Sequence, residues 1–209
     1  MLSLKTMTKT IAFSLSLFAA LLGLPCLQAD AATPTAGQQQ VQADGIVSGV
    51  VDTLWDQTDA YWHSGDYPRI VALDRVITEA DPQFLEAYSN GGWLMDSLGR
   101  TADAEAYYTL GVRNNPHAEY ASWNLGFFYF NTPHNYPAAV QAFQRAVRLP
   151  GADVRDWKML GHSCEKAGRW NDALSVWQQA LSRYPHDPSI PRLLAELKAK
   201  RPAPSAGKP

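Results

Sequence analysis

The sequence predicts an all-α fold: a stack of about four helical hairpins closed by one further helix. Two observations predict it. Side chains of defined size return in register at an interval near 34 residues, and glycine and proline punctuate the chain at helix-length spacings. Composition agrees, because 46% of the 209 residues are hydrophobic and 18% charged, outside the range of wholesale disorder. The formal net charge of −2 supplies no basic field for nucleic acid or an acidic membrane surface. Rings are plentiful, with 7 Trp and 9 Tyr. Such side chains dominate both cores and interfaces, so position has to separate the two roles.

Residues 1–31 read as an address. Lys5 and Lys9 precede an apolar run from Ile11 to Leu24, broken only by Ser14, Ser16 and Gly23. Pro25 and Cys26 lead to Ala29-Asp30-Ala31, which places small residues around a cut after Ala31. A basic start, a short apolar middle and an A-x-A exit mark a secretory signal peptide. The run is too short to cross a hydrocarbon layer of about 30 Å as a helix. Export to the periplasm or the medium is the expectation, and an uncleaved N-terminal anchor is the alternative. Cys26 follows Pro25, where the resemblance to lipoprotein signals requires a small residue, so acylation is not expected. Cleavage after Ala31 leaves Cys164 as the one thiol, and packing rather than a disulfide must hold the fold. Residues 32–44, with three successive Gln, read as a flexible lead-in.

The array is expected over 45–187. Three segments, 85–118, 119–153 and 154–187, carry the period most plainly. At their seventh and eighth positions stand Gly91-Gly92, Leu125-Gly126 and Leu160-Gly161. Met95, Tyr129 and Cys164 occupy the eleventh, and Ala104, Ala139 and Ala173 fall near the twentieth. Four residues on come Tyr108, Phe143 and Trp177, then Gly111, Ala146 and Ala180. Two segments close on Pro116 and Pro185, and the middle one on Pro150-Gly151. Helices approach closely only where side chains are small, so the Gly and Ala positions mark the crossings of paired helices. The ring beside each crossing is its knob. Gly99 and Gly168 fall between the two helices of their hairpins, where a residue with positive φ ends the first.

This pattern resembles the tetratricopeptide repeat, whose period is about 34 residues, over roughly 51–187. The resemblance implies a right-handed superhelical array with a concave face. The family's tryptophan at the fourth position is supplied only by Trp157. An earlier segment, 51–84, fits as an atypical first repeat: Tyr61, Gly65, Tyr67 and Pro82 agree, while Thr58, Ile70, Asp74 and Ile77 take the small or aromatic positions. Terminal repeats are atypical because one side faces solvent. The third repeat has an extra residue in its turn, at Asn131 to Asn135. After Asp187, Ser189 is expected to cap a further helix within 188–200, with Leu193, Leu194 and Leu197 on one face. Residues 201–209, rich in Pro, Ala and Gly, read as a disordered tail.

Catalytic and cofactor motifs do not occur. There is no Walker loop, dinucleotide fingerprint, CxxC, HExxH or GxSxG. His162 and Cys164 are two residues apart and so about 200° apart around a helix, which prevents them from sharing a metal. Cys164 sits at an inward repeat position and reads as a buried inert thiol. No enzyme, cofactor or metal is expected.

The resemblance also implies where a partner would lie, because the first helix of each hairpin lines the groove through positions two, five, nine, twelve and thirteen. Carried onto this chain, those positions give Asp52, Trp55, Asp59, Trp62 and His63, then Glu86, Ser89, Trp93, Asp96 and Ser97. They continue with Tyr120, Trp123, Phe127, Phe130 and Asn131, and end with Arg155, Lys158, His162, Glu165 and Lys166. The groove would run from acidic and aromatic to basic, with the acidic end of a partner toward Arg155 and Lys158. Trp55 and Asp59 stand where the family's carboxylate-gripping Lys and Asn would be, so that clamp is absent. The expected role is a non-catalytic adaptor for another protein in the cell envelope, with membrane contact only through a partner or an uncleaved signal. The alternatives are a self-assembling structural component, with ring-bearing faces pairing between copies, and a site for catalysis or a cofactor assembled across repeats.

Overall fold

The computed structural model describes residues 35–200, the side chain of Gln38 excepted, and among them are nine α-helices with no strand. They are α1 (Ala36–Ser64), α2 (Tyr67–Ala80), α3 (Leu85–Ser97), α4 (Thr101–Asn114), α5 (Glu119–Asn131), α6 (Tyr136–Ala146), α7 (Val154–Lys166), α8 (Trp170–Arg183) and α9 (Ser189–Lys200). The expected signal peptide and C-terminal tail lie outside the described residues. The array belongs to one compact unit, Gln42–Pro209; of the other, Met1–Val41, only the start of α1 is described.

From α2 to α9 each helix packs on the next, and α3, α5 and α7 also touch one another in turn. This is a right-handed superhelical array in which odd-numbered helices share one face. The crossings are built on glycine. A Cβ at Gly92 would lie 2.5 Å from the ring of Tyr108, one at Gly126 2.9 Å from Phe143, and one at Gly161 2.5 Å from Trp177. Each eighth-position glycine therefore receives a ring sixteen residues later, or seventeen in the hairpin with the longer turn, and no side chain fits between them. Around these contacts Phe143, Trp177, Met95, Val140, Ile190 and Leu197 are fully enclosed. Cys164 is buried among them, and burial pushes its thiol up to about 11.

The turns use local chemistry. Gly65, Gly99 and Gly168 take φ of +72°, +75° and +72°, the left-handed conformation that closes a helix without a Cβ clash. In the third hairpin the longer loop puts His134 there instead, at φ +48°. Helices α2 and α6 start alike: Asp66 and Asn135 accept backbone N–H bonds from Arg69 and Ala138, with proline in the first turn. Asp153 and Asp156 form a capping box on α7.

Three expectations are corrected. Residues 36–44, read as part of a flexible lead-in, are the first turns of α1. Gln, Ala and Val interrupt no helix, and no proline falls between Ala36 and Ser64. Gly37, Gly45 and Gly49 have open space where a Cβ would stand, so nothing packs closely there. Second, α9 begins at Ser189 itself and is capped by Asp187, whose Oδ1 accepts from Ser189 N at 2.9 Å and from Ser189 Oγ at 2.6 Å. Third, α6 ends at Ala146, several residues before Pro150-Gly151; the chain first turns through Val147 to Leu149, and Gly151 takes φ +92°.

Candidate groove between the odd-numbered helices

At the start of the array α1 and α3 stand apart enough to leave an open groove of about 580 Å³. Trp55, Asp56, Thr58, Asp59 and Trp62 of α1 form one wall; Glu86, Ser89, Asn90 and Trp93 of α3 form the other, and Tyr120 of α5 closes the end. The two walls follow from helical spacing, since residues three and four apart share a face. Trp55 meets Phe84 edge to face at 5.2 Å and is half-buried. Trp62 and Trp93 lie 5.9 Å apart, centroid to centroid, and remain 44% and 52% exposed. Of the expected groove residues, Trp55, Asp59, Trp62, Glu86, Ser89, Trp93 and Tyr120 thus come together; Asp52, His63 and Asp96 do not line this space.

Farther along, the rings form a stack. Tyr120 and Trp123 are nearly parallel at 6.3 Å, and Trp123 and Phe127 at 4.8 Å. The Arg155 guanidinium lies 4.4 Å over Trp123 and donates to Glu119 Oε1 at 3.0 Å. Burial and a hydrogen bond shared with Asp156 push the Glu119 carboxyl up to about 7, with Arg155 opposing. Phe127 is exposed, whereas Phe130 is half-buried against Tyr136 at 5.4 Å.

Two of the cations expected at the basic end, Lys158 and Arg155, are already engaged. Lys158 Nζ donates to Asp187 Oδ2 at 2.7 Å, and with Ser189 this holds the Asp187 carboxyl far below the ordinary carboxylate range. Arg155 is shared among Glu119, Asp153 and Asp156. His162 stands edge-on to Trp177 at 5.1 Å, and burial lowers its pKa. Asp96 accepts from Thr101 Oγ1 at 3.0 Å and from the Thr132 hydroxyl, tying α3 to the start of α4 and the end of α5. The expectation of a basic end open to an acidic partner is therefore corrected at two residues: Arg155 is paired with Glu119 of α5 and with Asp153 and Asp156 beside it, and Lys158 with Asp187 of its own repeat. Among the described residues no cluster of His, Cys, Asp or Glu could hold a metal ion, and no helix is long and apolar enough to cross a membrane.

Two groups bearing on the groove escaped the sequence reading. Asp56 faces the space one residue after Trp55, at a position outside the five carried over. Asp74 takes the place held by Tyr108, Phe143 and Trp177 in the other hairpins and is fully buried. Its Oδ2 accepts from Asn90 at 3.1 Å, Oδ1 has no partner, and burial raises the carboxyl to about 8. The irregularity at position 74 was visible in sequence; its contact with Asn90 was not.

Residues 92–154 match the family model described as tetratricopeptide repeat. No curated protein matches the chain in sequence. Among solved structures, MamA is similar at 21% identity, with 72% of this chain and 84% of that one covered and a TM-score of 0.57. PilF of Pseudomonas aeruginosa is similar at 18% identity, with 74% and 70% covered and a TM-score of 0.57. A chain in the structure of Naa15/Naa10 bound to HypK-THB is similar at 15% identity; the likeness covers 71% of this chain, 22% of that one, at a TM-score of 0.55. These likenesses concern the fold. With the repeat match over residues 92–154 and the recurring glycine–ring crossings, they show that the array has the tetratricopeptide-repeat fold.

Proposed function

We propose that this protein is an exported, non-catalytic scaffold that holds a segment of another polypeptide against the face of its odd-numbered helices. Tetratricopeptide arrays are protein-interaction folds, and one of the similar structures is a complex with a bound protein partner. The observation that carries the reading is the Trp62–Trp93 pair: two large rings, each about half exposed, lining an open groove. Exposed aromatic patches of this kind are the usual anchors of a protein interface. The N-terminal basic and apolar run with its Ala29-Asp30-Ala31 exit supports placement in the cell envelope, with cleavage near Ala31.

The test is affinity capture from native envelope extract with the purified protein as bait. Wild type and a variant on the outer face, Gln179→Ala, should retain the same polypeptide. Trp62→Ala/Trp93→Ala should lose it while keeping the wild-type helical spectrum and melting temperature. Equal retention by all three baits would refute the groove, and melting of the double variant would show those rings to be core.

A further inference from the structure

We infer that the α1–α3 end of the groove selects a basic segment, taking a Lys or Arg side chain between its indoles and its carboxylates. This rests on the groove reading above and adds the charge of the partner. Three observations point to it. The lining contains the carboxylates of Asp56, Asp59 and Glu86 and no Lys, Arg or His. Asp59 meets only His63, at 3.5 Å on the same helix, and Asp56 and Glu86 form no ion pair among the described residues. Meanwhile the cations farther along are closed off, Arg155 by Glu119 and Lys158 by Asp187. The unneutralised charge at the α1–α3 end is therefore negative.

The rings match the same occupant. An indole face attracts a cation through its quadrupole, and Trp62 and Trp93, about half exposed with centroids 5.9 Å apart, line the same opening as those carboxylates. The molecule already shows the pairing it would offer a partner: Arg155 lies over Trp123 while bonded to Glu119. At the α1–α3 end the ring and the acids are present, and the cation is the missing member. An Arg or Lys from a partner completes the set, and an apolar neighbour in its sequence reaches Phe127, which is exposed on the adjoining helix.

The experiment titrates the purified protein with a blocked peptide alternating arginine and leucine, and with its glutamate–leucine counterpart. Binding is read by calorimetry at low and at physiological salt. The basic peptide should bind, more weakly at higher salt. Asp56→Asn/Glu86→Gln should weaken it by about tenfold or more with an unchanged melting temperature, and Trp62→Ala/Trp93→Ala should abolish it. The acidic peptide should not bind. Equal affinity for both peptides, or an unchanged affinity in the carboxylate variant, would overturn the assignment. Acidic-peptide binding lost in Trp62→Ala/Trp93→Ala would overturn the charge assignment alone and leave the groove standing. Sedimentation of the protein by itself should show a monomer; a dimer broken by the carboxylate variant would give the pocket to a second copy and refute a foreign partner.

Discussion

The first and last hairpins of the array solve the same packing problem with different materials. In the last, Gly161 receives the full face of Trp177, which is wholly enclosed and donates its Nε1 proton to Glu165 at 2.8 Å. In the first, Thr58 and Asp74 hold those positions, and both are buried. The groove beside them differs in the same sense: Lys158 and Arg155 are paired at one end, whereas the indoles and carboxylates of α1 and α3 stand open at the other. Side chains committed to neighbours hold the stack together, and those left over are available to a partner. The contrast separates rings that fold the protein from rings that equip it.

The sharpest way to break this contrast is to remove one ring of each kind. Trp177→Ala should cost about 3–5 kcal/mol, enough to unfold much of a marginally stable array at ambient temperature. Trp93→Ala should shift stability by no more than about 0.5 kcal/mol. Urea denaturation followed by circular dichroism measures both, and comparable losses would erase the distinction. Gly161→Ala forces a Cβ against the Trp177 ring and should cost about 1–3 kcal/mol; a neutral result would mean the crossing is looser than its 2.5 Å approach indicates.

A pH titration sharpens the comparison at the other hairpin. Asp74 has a folded-state pKa raised from 3.8 to about 8 by burial. The folded protein therefore keeps a proton that the unfolded chain gives up between those values. Stability from this group is complete below about pH 4 and declines as pH rises toward 8. Asp74→Asn, which mimics the neutral acid, should flatten that part of the profile, and an unchanged slope would remove Asp74 as its source. A small effect is also expected at Arg155. Its contacts are partly solvent-exposed, so Arg155→Gln should cost less than about 1 kcal/mol, measured in the same denaturation series.

Much of this architecture was legible because close helix crossings demand small residues, and Gly92, Gly126 and Gly161 return with their rings sixteen or seventeen residues along the chain. The beginning of α1 was not legible, since the Gln and Ala residues near position 40 suit a linker and a helix equally. The groove was half legible. The positions implied by the repeat resemblance include Trp62, Trp93 and Glu86, which line one opening, but the pairing of Lys158 with Asp187, of Arg155 with Glu119 and of Asp96 with Thr132 joins residues of different helices or of the loops between them. A repeat pattern fixes which face a side chain occupies and carries no record of which charges meet across that face. Asp56 was missed for a related reason: the family's positions describe a straight stripe, and the opening between α1 and α3 is wider than that stripe.

Hydrogen–deuterium exchange of the array, with and without the polypeptide retained in the capture experiment, examines the central claim at its source. New protection should fall on α1 and α3 around Trp62 and Trp93 and extend onto α5, leaving α4 and α8 unchanged. Protection centred on α4 or α8, with α1 and α3 unaltered, would contradict it.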